Sequence, residues 1–141
     1  MNVRRFVIAS IVVAIAAFLT DGLIHQVLLK GAYENLTGLT ATKEQMDKWF
    51  WLFILGRIAF GFLLARVFVW GYSNKGITEG IRFGFLMGLL VWVPLFCVYV
   101  TFLPYPKAID IGEPFAGVIQ FLIYGVLLSL IYKPASESAA S

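Results

Sequence analysis

The 141-residue chain contains one cysteine and one histidine. A lone thiol, Cys97, closes no internal disulfide, and with His25 as the only imidazole neither a zinc cage nor a bis-histidine haem site can be assembled. Charge is also scarce. Asp, Glu, Lys and Arg make up 13% of the chain, about half the share usual in soluble domains. The net charge of +3 is scattered, without a run of Lys or Arg, which excludes a nucleic-acid-binding face. No nucleophile, cofactor or metal motif stands out, so neither a cofactor nor an enzymatic activity is expected.

What the chain does hold is apolar length. Four stretches, Phe6–Leu29, Trp49–Tyr72, Ile77–Leu103 and Ile109–Tyr132, are each long enough to cross a hydrocarbon core of about 30 Å, which takes roughly 20 residues of helix. The expected fold is all-α: an integral membrane four-helix bundle, antiparallel and up-down. It forms a single transmembrane domain over 1–133, followed by a small, polar tail, 134–141, expected to be disordered. The basic start at Arg4 and Arg5, with an apolar run and Ala14-Ile15-Ala16, resembles a signal peptide, but apolar character continues to Leu29, so a retained spanning helix is expected.

Basic residues set the orientation. Arg4, Arg5, Lys75, Arg82 and Lys133 fall on one side, whereas Lys30, Lys43, Lys48 and Lys107 on the other are mixed with acids. By the positive-inside rule both termini are cytoplasmic, and a multi-pass protein of a bacterial inner (plasma) membrane is expected. Trp49, Trp51, Trp70, Tyr72, Tyr105 and Tyr132 mark helix ends, where an aromatic ring with one polar atom suits the headgroup level; Trp92 lies mid-span and is expected to pack inside the bundle.

The connections carry their own signals. Thr42-Lys43-Glu44-Gln45 matches a capping box, so the second helix is expected to start near Lys43. Ser73–Gly76 reads as a tight turn, Pro104-Tyr105-Pro106 as the stop of the third helix, and Asn35-Leu36-Thr37 as a sequon by pattern alone. Pro94 predicts a kink. A Phe-Gly-Phe-Leu string at Phe60–Leu63 recurs at Phe83–Leu86, too short to define a repeat. Gly80, Gly84 and Gly88 recur every fourth residue and form one packing face, which serves the bundle itself or a homo-oligomer; intrachain packing is preferred.

Polar residues inside the spans are the candidate site. At 1.5 Å per residue, Asp21 and Arg57 each lie eight residues, about 12 Å, below the outer ends at Leu29 and Trp49. Opposite charges at equal depth on sequential helices predict an ion pair. His25 sits one turn above Asp21. Glu113, Gln120 and Tyr124 fall within about 40° of one another on the fourth helix, and Tyr99 shares a face with Trp92. A lone charge at mid-span costs about 2.5–3.5 kcal/mol, so such groups normally meet a partner or water. Asp21, His25, Arg57, Tyr99, Glu113, Gln120 and Tyr124 are therefore expected to surround an outward-facing polar site for a ligand, ion or proton, with transport as one use. The alternative is an accessory or scaffolding subunit of a larger membrane complex, in which Asp21 and Arg57 form a structural clamp and Glu113 merely starts its helix in headgroup water. The partners expected are the lipid bilayer and either further copies of the chain or a larger membrane complex.

Overall fold

The computed structural model describes residues 2–34, 36 and 41–132. Asn35 and Thr37 of the sequon, Lys133 and the tail 134–141 lie outside them.

Helix α1 (Val3–Leu23) begins at Asn2, whose side chain accepts from the Arg5 backbone N–H at 3.2 Å and so satisfies one of the first-turn donors. It runs without a break into a π-helical turn, Ile24–Leu28, closed by the Leu29 N–H on the Ile24 carbonyl at 2.8 Å. A short helix α2 (Lys30–Glu34) follows, inside the stretch that reads as a loop in the sequence. Helix α3 (Lys43–Trp70) starts with the capping box in place: Gln45 N–H bonds Thr42 Oγ1 at 3.3 Å, and Thr42 N–H bonds Gln45 Oε1 at 3.0 Å. Helices α4 (Ile77–Phe102) and α5 (Lys107–Ile131) complete the chain. Between α3 and α4, Asn74 and Gly76 adopt positive φ, and the Glu79 carboxylate accepts from the Ser73 and Lys75 backbone N–H groups, which ties the turn to the first turn of α4. Helix α4 continues through Pro94 and ends at Phe102, ahead of Pro104.

Four helices are long and apolar enough to cross a membrane: Val3–Leu28, Lys43–Trp70, Ile77–Phe102 and Lys107–Ile131. Their outer surfaces carry Ile15, Leu63, Leu86, Leu90 and Phe115, each more than half exposed. Side chains of this kind on every helix are what a lipid-solvated bundle presents, because lipid does not drive them inward.

Helices pack in two close pairs, α4 with α5 and α1 with α3, joined mainly where α1 meets α5. Glycine sets the approach in both pairs. A Cβ at Gly80 would strike the Gly125 carbonyl, one at Gly84 the Phe121 carbonyl, and one at Gly88 would crowd Val118 at 3.1 Å. A Cβ at Gly61 of α3 would strike the Ser10 carbonyl of α1. Gly61 and Gly84 are the glycines of the two Phe-Gly-Phe-Leu strings, so each copy of the string lies at a helix–helix seam. The core between the pairs is built from Val13, Ala17, Leu64, Phe68, Phe121 and Leu128. Tyr132, read from the sequence as a headgroup-level residue, directly follows α5, is 4% exposed and packs edge-on against Tyr72, with ring centroids 5.0 Å apart.

Candidate functional site

All seven polar residues singled out in the sequence line one cavity of about 480 Å³ between α1, α3, α4 and α5. It lies toward the bundle end where α1 gives way to α2 and α4 to α5. All four of these helices contribute polar side chains to it.

From α1 comes Asp21. Its Oδ2 lies 2.6 Å from Arg57 Nη2 of α3, and its Oδ1 accepts from the Gln120 side-chain amide of α5 at 2.9 Å. The Arg57 contact is close in distance but not aligned as a directed hydrogen bond. Arg57 also lies 4.8 Å from the Phe53 ring centre, so its other face rests on an aromatic quadrupole.

Thr20, which the sequence reading passed over, connects this carboxylate to the rest of α5. Its hydroxyl proton goes to the Ala16 carbonyl at 2.8 Å. With that proton committed, Thr20 Oγ1 is an acceptor for its other partners, the Tyr124 hydroxyl at 2.8 Å and the Gln120 amide at 2.8 Å. Tyr124 therefore donates to Thr20, and its own lone pairs remain. The back-bond to the preceding turn is the usual resting state of a mid-helix threonine, which is why its sequence position carries no signal.

His25 sits in the π-helical turn. Where the ladder changes from i→i+4 to i→i+5, the Asp21 carbonyl takes the His25 ring at Nδ1, 2.9 Å away. The opposite nitrogen, Nε2, lies 3.2 Å from Glu113 Oε1. Glu113 belongs to the second turn of α5 and its side chain is 8% exposed, so it is a buried partner of His25 and not a solvated helix-start acid. The Tyr33 ring of α2 lies 5.4 Å from the His25 ring, tilted against it by 34°.

Aromatic groups close the remaining walls. Phe60 meets Phe121 and Tyr124 edge-on at 5.7 Å. Trp92 of α4 lies across α5 at Gly117, where a Cβ would run into the indole. Its Nε1–H is buried without an acceptor. Tyr99, one face with Trp92, packs edge-on against Tyr105 at 5.5 Å. Gly80, Gly84 and Gly88 take no part in the cavity; they bring α4 against α5 one side over. Arg66 stands apart, its guanidinium 5.1 Å from the Trp70 ring centre. Among the described residues, no three His, Cys, Asp or Glu side chains are grouped to hold a metal ion.

The arrangement can hold opposite charges in a low-dielectric space and keep a proton between two of them. Comparison with known proteins finds no matching family model, no matching curated protein and no matching solved structure.

Proposed function

We propose that this chain is a non-enzymatic membrane protein whose cavity binds a small ligand or ion in linkage with one proton, and that the cavity opens to the outer side. In this reading the helices run antiparallel, up and down, with both termini in the cytoplasm. The reversed order of the α4–α5 contacts, Gly80 with Gly125 and Gly88 with Val118, supports the first part. The distribution of Arg4, Arg5, Lys75, Arg82 and Lys133 supports the second.

The observation that carries the proposal is the double engagement of His25. A carbonyl accepts and never donates, so Nδ1 must carry hydrogen to meet the Asp21 oxygen. Nε2 then meets Glu113 Oε1 favourably only with a proton between them, either on the ring or on the carboxyl. In both placements the His25–Glu113 couple is neutral overall. Asp21 and Arg57 cancel as well, so the site is neutral with the proton and carries one negative charge without it. The titratable and charged groups sharing the cavity with His25 are Asp21, Arg57, Tyr99, Glu113 and Tyr124, with the Tyr33 ring tilted against it. A proton whose loss changes the charge of a membrane-embedded cavity is coupled by linkage to whatever charge enters it.

Infrared difference spectra of the purified protein in nanodiscs, taken between acidic and alkaline buffer, test this. A carboxyl or imidazole signal is expected in the parent protein, and its titration midpoint is expected to move in both Glu113→Gln and His25→Asn, since each removes one of the two groups that share the proton. Glu113→Gln keeps a donor to neutral Nε2, so its fold is preserved. A midpoint unchanged in Glu113→Gln removes the couple as the proton's seat and the proposal with it.

A further inference from the structure

The tautomer of His25 decides what surrounds Glu113 once their shared proton has gone. Nδ1–H stays on the Asp21 carbonyl, 2.9 Å away, so the neutral ring offers a partner only the Nε2 lone pair. Glu113 Oε1 stands 3.2 Å from that nitrogen. Two acceptors then face each other with no hydrogen between them. Glu113 Oε2 makes no hydrogen bond among the described residues. Asp21 takes no part in this: Arg57 lies 2.6 Å from one of its oxygens, the Gln120 amide bonds the other, and its charge cancels that of the guanidinium. The uncompensated charge therefore rests on Glu113, whose side chain is 8% exposed.

Whatever takes the proton's place must bring hydrogen for Nε2 and positive charge for the carboxylate. Water brings the first without the second, and an enclosed carboxylate in a spanning segment is costly without a counter-charge. A metal ion brings the second, but His25 and Glu113 are only two ligands, and among the described residues no third His, Cys, Asp or Glu joins them. A protonated amine brings both: one N–H for the ring nitrogen, another for the carboxylate, and a charge. The rest of the chamber suits its carbon body. Ile24, Phe60, Val91, Trp92 and Phe121 line the same space of about 480 Å³, against about 30 Å³ for a single water, and aromatic rings favour a cation.

We propose that the cavity's ligand is a primary or secondary organic ammonium ion, with its N–H groups on His25 Nε2 and the Glu113 carboxylate and its carbon body among Phe60, Val91 and Phe121, taken up in exchange for the shared proton. This rests on the cavity being a ligand site that holds that proton. The exchange balances: one cation enters, one proton leaves the His25–Glu113 couple for water, and the site is neutral in both states. The other titratable and charged groups about the couple are Asp21 of α1, Arg57 of α3, Tyr99 of α4 and Tyr124 of α5, with Tyr33 of α2 beside the His25 ring. The linkage has a definite sign. Below the titration of the couple the proton must be displaced, so binding weakens about tenfold for each unit that pH falls. Above it the seat is already open and affinity levels off.

The test is titration calorimetry of the full chain in phosphatidylcholine nanodiscs, with empty discs as the blank and phenethylammonium as the probe. It spans the pH range in which the infrared signal of the couple titrates, kept below about pH 9 so that the amine stays protonated. Saturable binding is expected, tightening as pH rises through that range. At its acidic end about one proton should be released per amine, read from runs in two buffers of different ionisation heat. At its alkaline end phenethyl alcohol and phenylacetate, of like shape without the cation, and tetramethylammonium, a cation without N–H, are expected to bind at least about tenfold more weakly, the worth of one charge-assisted hydrogen bond. Glu113→Gln, whose amide meets Nε2 without a charge, should weaken the amine by the same factor and remain folded. Competition by phosphatidylethanolamine built into the disc would support the ammonium seat and name the leaflet as its source. Phenylacetate or the alcohol binding as well as the amine overturns the ammonium ligand and leaves the cavity standing as a ligand site. Tetramethylammonium or sodium ion binding equally well removes the N–H contacts, and amine binding that ignores pH or is unaltered in Glu113→Gln removes the exchange. Failure of every probe overturns this inference together with the ligand reading, while an infrared midpoint that still moves in Glu113→Gln keeps the proton in its place.

Discussion

Arg57 of α3 and Asp21 of α1 meet at 2.6 Å, and Gln120 of α5 holds the other oxygen of the same carboxylate at 2.9 Å. One side chain thus ties three helices together, from both edges of its carboxyl group. The Asp21 side chain is 14% exposed and that of Arg57 33%, so the acid is the more deeply enclosed of the two.

Removing either charge strands the other. Asp21→Asn and Arg57→Gln are each expected to destabilise the protein by about 3–5 kcal/mol, the usual result of breaking an enclosed pair. The double variant should be more stable than either single one, which distant sites do not allow. Thermal melting in detergent measures all three. Losses that simply add would mean that the two groups do not interact.

Thr20 holds two donors of α5 on one oxygen. Thr20→Val keeps the shape and removes the acceptor, leaving the Tyr124 hydroxyl without its partner, and should cost about 1–3 kcal/mol. Thr20→Ser should melt close to the parent. Equal melting of the valine and serine variants would show that the hydroxyl contributes nothing.

Glycine at 84 is a matter of space, whereas glycine at 71 is not. A Cβ at Gly84 runs into the Phe121 carbonyl, backbone that cannot step aside, while nothing lies within 4 Å of one at Gly71. Gly84→Leu is therefore expected to cost more than the about 1–3 kcal/mol of ordinary overpacking, and Gly71→Leu far less. Because α5 occupies the stripe, the damage should appear in the monomer's own melting. Loss of an oligomer from an intact monomer would be the opposite result.

Orientation is read with thiol chemistry. In a Cys97→Ser background, Ala41→Cys and Ser73→Cys place single thiols on exposed connections at opposite ends of α3. An impermeant reagent applied to oriented vesicles or cells should reach Ala41→Cys from outside and Ser73→Cys only after the membrane is opened. Labelling of both from one side would contradict four spans.

The spans are legible in the sequence because membrane solvation writes itself as uninterrupted apolar length, and the helix ends differ from those stretches by only a few residues, apart from α3. There the helix starts at Lys43, six residues before Trp49, and the marker is a cap and not hydropathy. Counting depth along straight helices brings Asp21 level with Arg57, since two sequential helices share one membrane frame. It does not reveal the π-helical turn, which depends on a ladder shift without a residue signature, nor Thr20, whose chemistry is ordinary until α5 arrives. The short helix α2 escapes for a related reason: it depends on what packs near it, and a single strand of text shows neighbours along the chain only. Gly117 is similar, because the reason for its missing side chain is a tryptophan on another helix.

The two helix pairs are each locked by backbone-on-backbone contact at glycine, while the seam joining them is made chiefly by side chains of α1 and α5. At that seam Thr20 and Asp21 of α1 meet Gln120 and Tyr124 of α5, so the bonds that join the two pairs are the same bonds that hold the cavity's polar groups in register. A substitution at any of these four residues therefore acts on the assembly of the bundle and on the shape of the chamber at once.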